Sequence, residues 1–175
     1  MSFRSATRYS LRVDRRSVYL ETTVVSYLVG WLSRGNALLA SNQELTREWW
    51  TRRRHEFELF ASTVVVDEVS KGEPDLAAQR LAHLQGVKLL EVTPEARRLA
   101  ARFVREVAIP AKAEIDALHV AVAAVNGMSY LASWNCTHIV NAITLPRVYD
   151  ICRINGYEPP FVCTPQELMG DFNDA

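Results

Sequence analysis

Residues 18–32 read Val18-Tyr19-Leu20-Glu21-Thr22-Thr23-Val24-Val25-Ser26-Tyr27-Leu28-Val29-Gly30-Trp31-Leu32. The first three are a short apolar run stopped by an acid. Two threonines follow, with Thr22 placed to cap, and then a longer apolar stretch ending near Gly30. That order predicts a buried strand, a turn carrying a carboxylate, and a helix.

The same alternation continues outward. Ala37 to Phe60 is rich in helix formers, with Leu38, Leu45, Trp49 and Phe60 close to one face. Thr63-Val64-Val65-Val66 is β-branched throughout and predicts a second buried strand that delivers Asp67 and Glu68 at its exit. Asp75 to Leu84 is helical in pattern, Val87 to Val92 predicts a third strand, and Thr93-Pro94 opens a helix running to Val107. Pro110 ends that region. Ala113 to Asn126 is almost wholly apolar apart from Glu114, Asp116 and His119, so it predicts a buried helix. Ser129 to Ser133 predicts a fourth strand, Leu145 to Asn155 a helix stopped by Gly156, and Phe161-Val162-Cys163 a last short strand. Strands apolar on both faces that alternate with helices define a parallel sheet covered on each side. The expected fold is therefore a three-layer α/β domain.

Composition narrows the classes. The chain has 175 residues, 49% of them hydrophobic and 23% charged, the balance of a globular protein of ordinary domain size. No apolar run is long enough to cross a bilayer, and no membrane partner is expected. Three cysteines without paired spacing favour neither a disulfide framework nor a zinc site, and point to a reducing cytoplasm. There is no glycine-rich phosphate loop. Lysine and arginine together equal aspartate and glutamate at 20 each. Residues 1–16 nevertheless hold five arginines against Asp14, so that stretch is +4 and the remainder −4. We read residues 1–17 as a basic, flexible arm and 18–175 as a single domain.

In an open α/β sheet, ligands bind outside the carboxyl ends of the strands. Glu21, Glu68 and Asn135 all follow predicted strands, and Asp116 opens the most apolar helix. Carboxylates converging within about 5 Å repel by roughly 3 kcal/mol per pair at an effective dielectric of about 20, a cost that a divalent cation removes. An oxygen-only set selects Mg²⁺ or Mn²⁺ over Zn²⁺, and such an ion activates water against a phosphodiester.

The segments Val18–Val25, Val64–Gly72, Asp116-Ala117-Leu118-His119-Val120-Ala121 and Leu131-Ala132-Ser133-Trp134-Asn135 resemble, in this order, the successive motifs of PIN-domain proteins, in particular VapC-like toxins. The resemblance covers roughly residues 18–165. It implies a PIN-like domain with a central parallel sheet of four to five short strands and a Mg²⁺- or Mn²⁺-dependent ribonuclease site. Glu21, Glu68 and Asp116 match the acids that hold metal, and Asn135 stands where the fourth acid is usually Asp. Thr23 matches the small polar residue that positions water or substrate, and Asn141 is a further polar residue lining the same loop. Glu21 departs from the usual Asp by one methylene, and Asn135 keeps an oxygen but contributes no charge. The resemblance also implies single-stranded or loop RNA as substrate, a homodimer, and a cognate antitoxin that covers the acidic pocket. A catalytically weakened PIN-like module that binds RNA or a protein without cutting is the alternative. A phosphotransfer receiver domain fits less well, because it needs a lysine and hydroxyl pair near the acids.

Overall fold

The computed structural model describes residues 15–107 and 113–170. The elements run β1 (Ser17–Leu20), α1 (Thr22–Leu28), α2 (Ala37–Arg52), β2 (Glu58–Ser62), α3 (Thr63–Val69), α4 (Pro74–His83), β3 (Lys88–Leu90), α5 (Pro94–Val107), α6 (Glu114–Val125), β4 (Tyr130–Ala132), α7 (Leu145–Ile154) and β5 (Phe161–Cys163). Most of the basic stretch at 1–17, and Pro110, lie outside the described residues. Ser17 belongs to β1.

The five strands are all parallel, in the order β3-β2-β1-β4-β5. Val18, Tyr19 and Leu20 of the central strand are fully buried, as are Leu131 and Ala132 beside them. This is why these strands read as unbroken apolar runs. From β1 the chain steps one way to β2 and β3, then crosses back to β4 and continues to β5. Right-handed crossovers in opposite directions place their helices on opposite faces. Accordingly α1 packs with α2, α3 and α4, while α5 packs with α6 and α7. The result is a three-layer α/β fold. Its topological switch point lies between β1 and β4, the strands whose onward connections diverge.

Two boundaries differ from the sequence reading. Thr63–Val66 is the first turn of α3, and the strand before it is Glu58–Ser62. Ser62 is the N-cap residue, and Val65 and Val69, four apart, bury one helical face. Glu68 therefore stands on a helix following β2, one turn further from the sheet than a strand exit would put it. Helix α2 stops at Arg52 before a short 3-10 turn, and Leu38 is exposed while Gln43, Thr46, Trp49 and Trp50 face inward. The expected cap on α5 is present, with the Ala96 amide donating to Thr93 Oγ1 at 3.2 Å.

Candidate active site

Glu21 leaves the central strand at the switch point, and its own amide donates to the Ala132 carbonyl of β4 at 3.1 Å. Glu21, rather than Thr22, is the N-cap residue of α1; its backbone is extended at φ −81° and ψ 160°. Its Oε2 accepts three hydrogen bonds: from the Thr23 amide (3.1 Å), the Thr23 hydroxyl (2.5 Å) and the Ser133 hydroxyl (2.8 Å). The side chain is 4% exposed, yet no cation pairs with it and no hydrogen bond reaches its Oε1 among the described residues. Thr23 Oγ1 also accepts from the Trp134 amide, and Ser133 Oγ from the Asn135 amide, each at 2.9 Å. The exits of β1 and β4 are thus stitched together around one carboxylate oxygen.

Glu68 faces it from α3. Its Oε2 accepts from the Thr22 hydroxyl and lies 2.9 Å from Nε2 of His119 on α6. A carboxylate only accepts, so Nε2 is the donor. Nδ1 pairs with the Tyr19 hydroxyl at 2.8 Å, and that hydroxyl pairs in turn with Ser62 Oγ at 2.7 Å. This chain runs from the centre of the sheet to the acid, and His119 is 1% exposed within it. Burial pushes the Glu68 carboxyl up. The hydrogen bonds from His119 and Thr22, followed by the charges of His119 and Lys71, outweigh that and hold it below its usual range. Burial also pushes the Tyr19 phenol far above its ordinary value, so it stays a hydroxyl.

One ligand atom each from Glu21, Glu68 and His119 lie within 4.8 Å of one another. At that spacing two carboxylates repel by about 3 kcal/mol at an effective dielectric of about 20. Each acid saturates one oxygen with donors and leaves the other without a hydrogen bond among the described residues. Such a donor set fits a hard divalent cation. The histidine fits less well, since its Nε2 proton is committed to Glu68.

The other expected residues are placed differently. Asp116 is half-buried, one turn before His119 on α6, and its carboxylate lies outside the 4.8 Å group. It makes no hydrogen bond or ion pair among the described residues. Asn135 turns its Oδ1 to the His138 amide (3.1 Å), and its Nδ2 has no hydrogen bond among the described residues. Both ends of Asn141 are spent within the loop, Nδ2 on the Thr137 carbonyl (2.8 Å) and Oδ1 on the Ile143 amide (3.0 Å). Ser133, Tyr19 and the bond from His119 to Glu68 were not legible as parts of a site. The one signal was the polar side chain of His119 amid the apolar Ala113–Asn126 run. A cleft of about 700 Å³ lies away from these acids, at the other end of the strands, lined by Arg15, Arg54 and the ion pair of Glu58 with Lys88.

Neither a protein-family model nor a curated protein matches the sequence. Solved structures do match the fold. The chain is similar to Mycobacterium tuberculosis VapC20, a Sarcin-Ricin loop cleaving toxin, at TM-score 0.53 and 15% identity, over 70% of this chain and 93% of that one. It is similar to VapBC2 from Rickettsia felis, bound to a DNA fragment from its promoter, at TM-score 0.50 and 13% identity, over 85% of this chain and 98% of that one. It is similar to FitAB bound to a DNA fragment at TM-score 0.53 and 15% identity, over 89% of this chain and 99% of that one. At these identities the likeness is one of fold. The chain has the PIN-like fold of VapC-type toxins, as the sequence resemblance implies.

Proposed function

We propose that the protein is a Mg²⁺- or Mn²⁺-dependent endoribonuclease acting as the toxin of a toxin–antitoxin pair. The observation that carries this reading is the convergence of Glu21 and Glu68 at the switch point, each with one oxygen that accepts no hydrogen bond among the described residues. When bound, the ion offsets the acids, polarises the phosphodiester and activates water. The chain supplies the rest. Glu21 and Glu68 would hold the ion, with Asp116 as the third acid beside them. Thr23 and Ser133 fix the Glu21 carboxylate, while Thr22 and His119 fix that of Glu68. Asn135 offers its Nδ2 as a donor to substrate, and Asn141 braces the loop that carries it.

RNA with unstacked bases is the substrate class, because sequence is read most readily there. The fold likeness to VapBC2 and FitAB supports a cognate antitoxin; in our reading it covers the acids, and the chain forms a homodimer. No described helix is long and apolar enough to span a membrane, and we place the protein in the cytoplasm.

The deciding experiment incubates purified protein with a mixed single-stranded RNA pool and Mn²⁺ or Mg²⁺, alongside EDTA and the Asp116→Asn variant. Cleavage that disappears in both controls is expected. A folded wild-type protein that binds RNA equally in EDTA and never cuts it would replace this reading with the binding module.

A further inference from the structure

Thr23 and Tyr27 lie one turn apart on the same face of α1. The Thr23 hydroxyl supports Glu21 and receives the Trp134 amide. One turn on, the Tyr27 ring stacks on the Trp134 indole, with centroids 6.3 Å apart and planes inclined by 22°. The two rings are held differently. Trp134 packs against the core, and its Nε1 donates to Thr46 Oγ1 at 2.7 Å. Tyr27 is half-buried, stands outside the core cluster, and its hydroxyl has no hydrogen bond among the described residues. Burial, then the charges of Glu21 and Cys136, raise its phenol above the ordinary value, so the ring sits in the field of the acid and keeps its proton.

Tyr27 is half-buried, so part of its ring remains open to solvent beside the anchored indole. Neither bond that Thr23 makes to Glu21 needs it, and among the described residues it stands outside the core cluster. Aromatic faces at this kind of position bind unstacked bases, an interaction tolerant of sequence because every base has a π face.

Building on the ribonuclease reading, we infer that the outer face of Tyr27, backed by Trp134, is a stacking seat for one unpaired nucleobase adjoining the scissile phosphate. Duplex RNA, whose bases are already stacked, cannot use it.

The test measures kcat and KM with Mn²⁺ on a single-stranded RNA oligonucleotide, for wild type, Tyr27→Leu and Tyr27→Phe. The same oligonucleotide is also prepared with an abasic ribose at each position flanking the cut. Tyr27→Leu is expected to raise KM about tenfold with kcat little changed, and Tyr27→Phe to behave as wild type. One abasic position should reproduce the loss in wild type and add nothing in Tyr27→Leu. If Tyr27→Leu cuts with an unchanged KM, the seat is refuted while the ribonuclease reading stands. A wild-type protein that neither binds nor cuts RNA refutes both. Should Tyr27→Leu fail to fold by circular dichroism, the abasic scan on wild type decides: a loss at one flanking position supports the seat, and uniform behaviour overturns it.

Discussion

His119 reaches Glu68 with one ring nitrogen at 2.9 Å and Tyr19 with the other at 2.8 Å, so α6 holds the acid of α3 directly while the central strand braces the imidazole. Removing the phenol takes that brace away inside the protein. Tyr19→Phe leaves Nδ1 of His119 and Oγ of Ser62 buried without partners, and should cost about 2 kcal/mol. Urea unfolding in EDTA measures this as a lower midpoint at unchanged slope; an unchanged midpoint would show that water takes the place of the phenol.

The depressed Glu68 carboxyl sets a pH dependence. Its folded value lies below its unfolded one, so its contribution is fully present above the ordinary glutamate range, about pH 4.3. It is lost as pH falls through the lower folded value. In EDTA, Glu68→Gln should flatten the acid limb of the stability curve below about pH 4.3 relative to wild type. Parallel limbs for the two proteins would mean that Glu68 gains nothing from His119 and Thr22.

Asp116 has no hydrogen bond to lose among the described residues. Asp116→Asn should therefore leave the unfolding free energy within about 0.5 kcal/mol of wild type. Mn²⁺ affinity by calorimetry should fall about tenfold or more. Destabilisation without a change in metal affinity would make Asp116 a structural residue.

Glu21→Asp restores the acid usual in the resembled family and preserves charge, yet it draws the carboxylate back by about 1.5 Å. The cradle of Thr23 and Ser133 is built at glutamate length. We expect about tenfold weaker Mn²⁺ binding by calorimetry. Equal or tighter binding would show that the cradle does not set the position of the acid.

Much of the fold was legible because its strands are buried on both faces and its helices carry ordinary punctuation: Thr93-Pro94 before α5, Gly156 after α7. The misplacement of β2 has a physical cause. A β-branched run of four residues satisfies a buried strand and a buried helical turn equally well, and only packing against neighbours decides between them. At Thr63–Val69 the decision follows from Val65 and Val69 facing the core together. The site was legible as a set of acids at chain positions. Which oxygen of each acid is free depends on hydrogen bonds between residues far apart in sequence, Ser133 to Glu21 and His119 to Glu68, and the bond by which Asn135 spends its oxygen on its own loop is set by the fold of that loop.

Ser133 and Glu21 are 112 residues apart in the chain, and their hydrogen bond closes the site. A growing polypeptide therefore acquires Glu21, Glu68 and Asp116 long before it can arrange them. Until β4 has been synthesised and docked against β1, the exit of the central strand has no Ser133 to hold its carboxylate. On the proposed reading, a chain that has not yet made β4 carries the acids without the arrangement that activity needs.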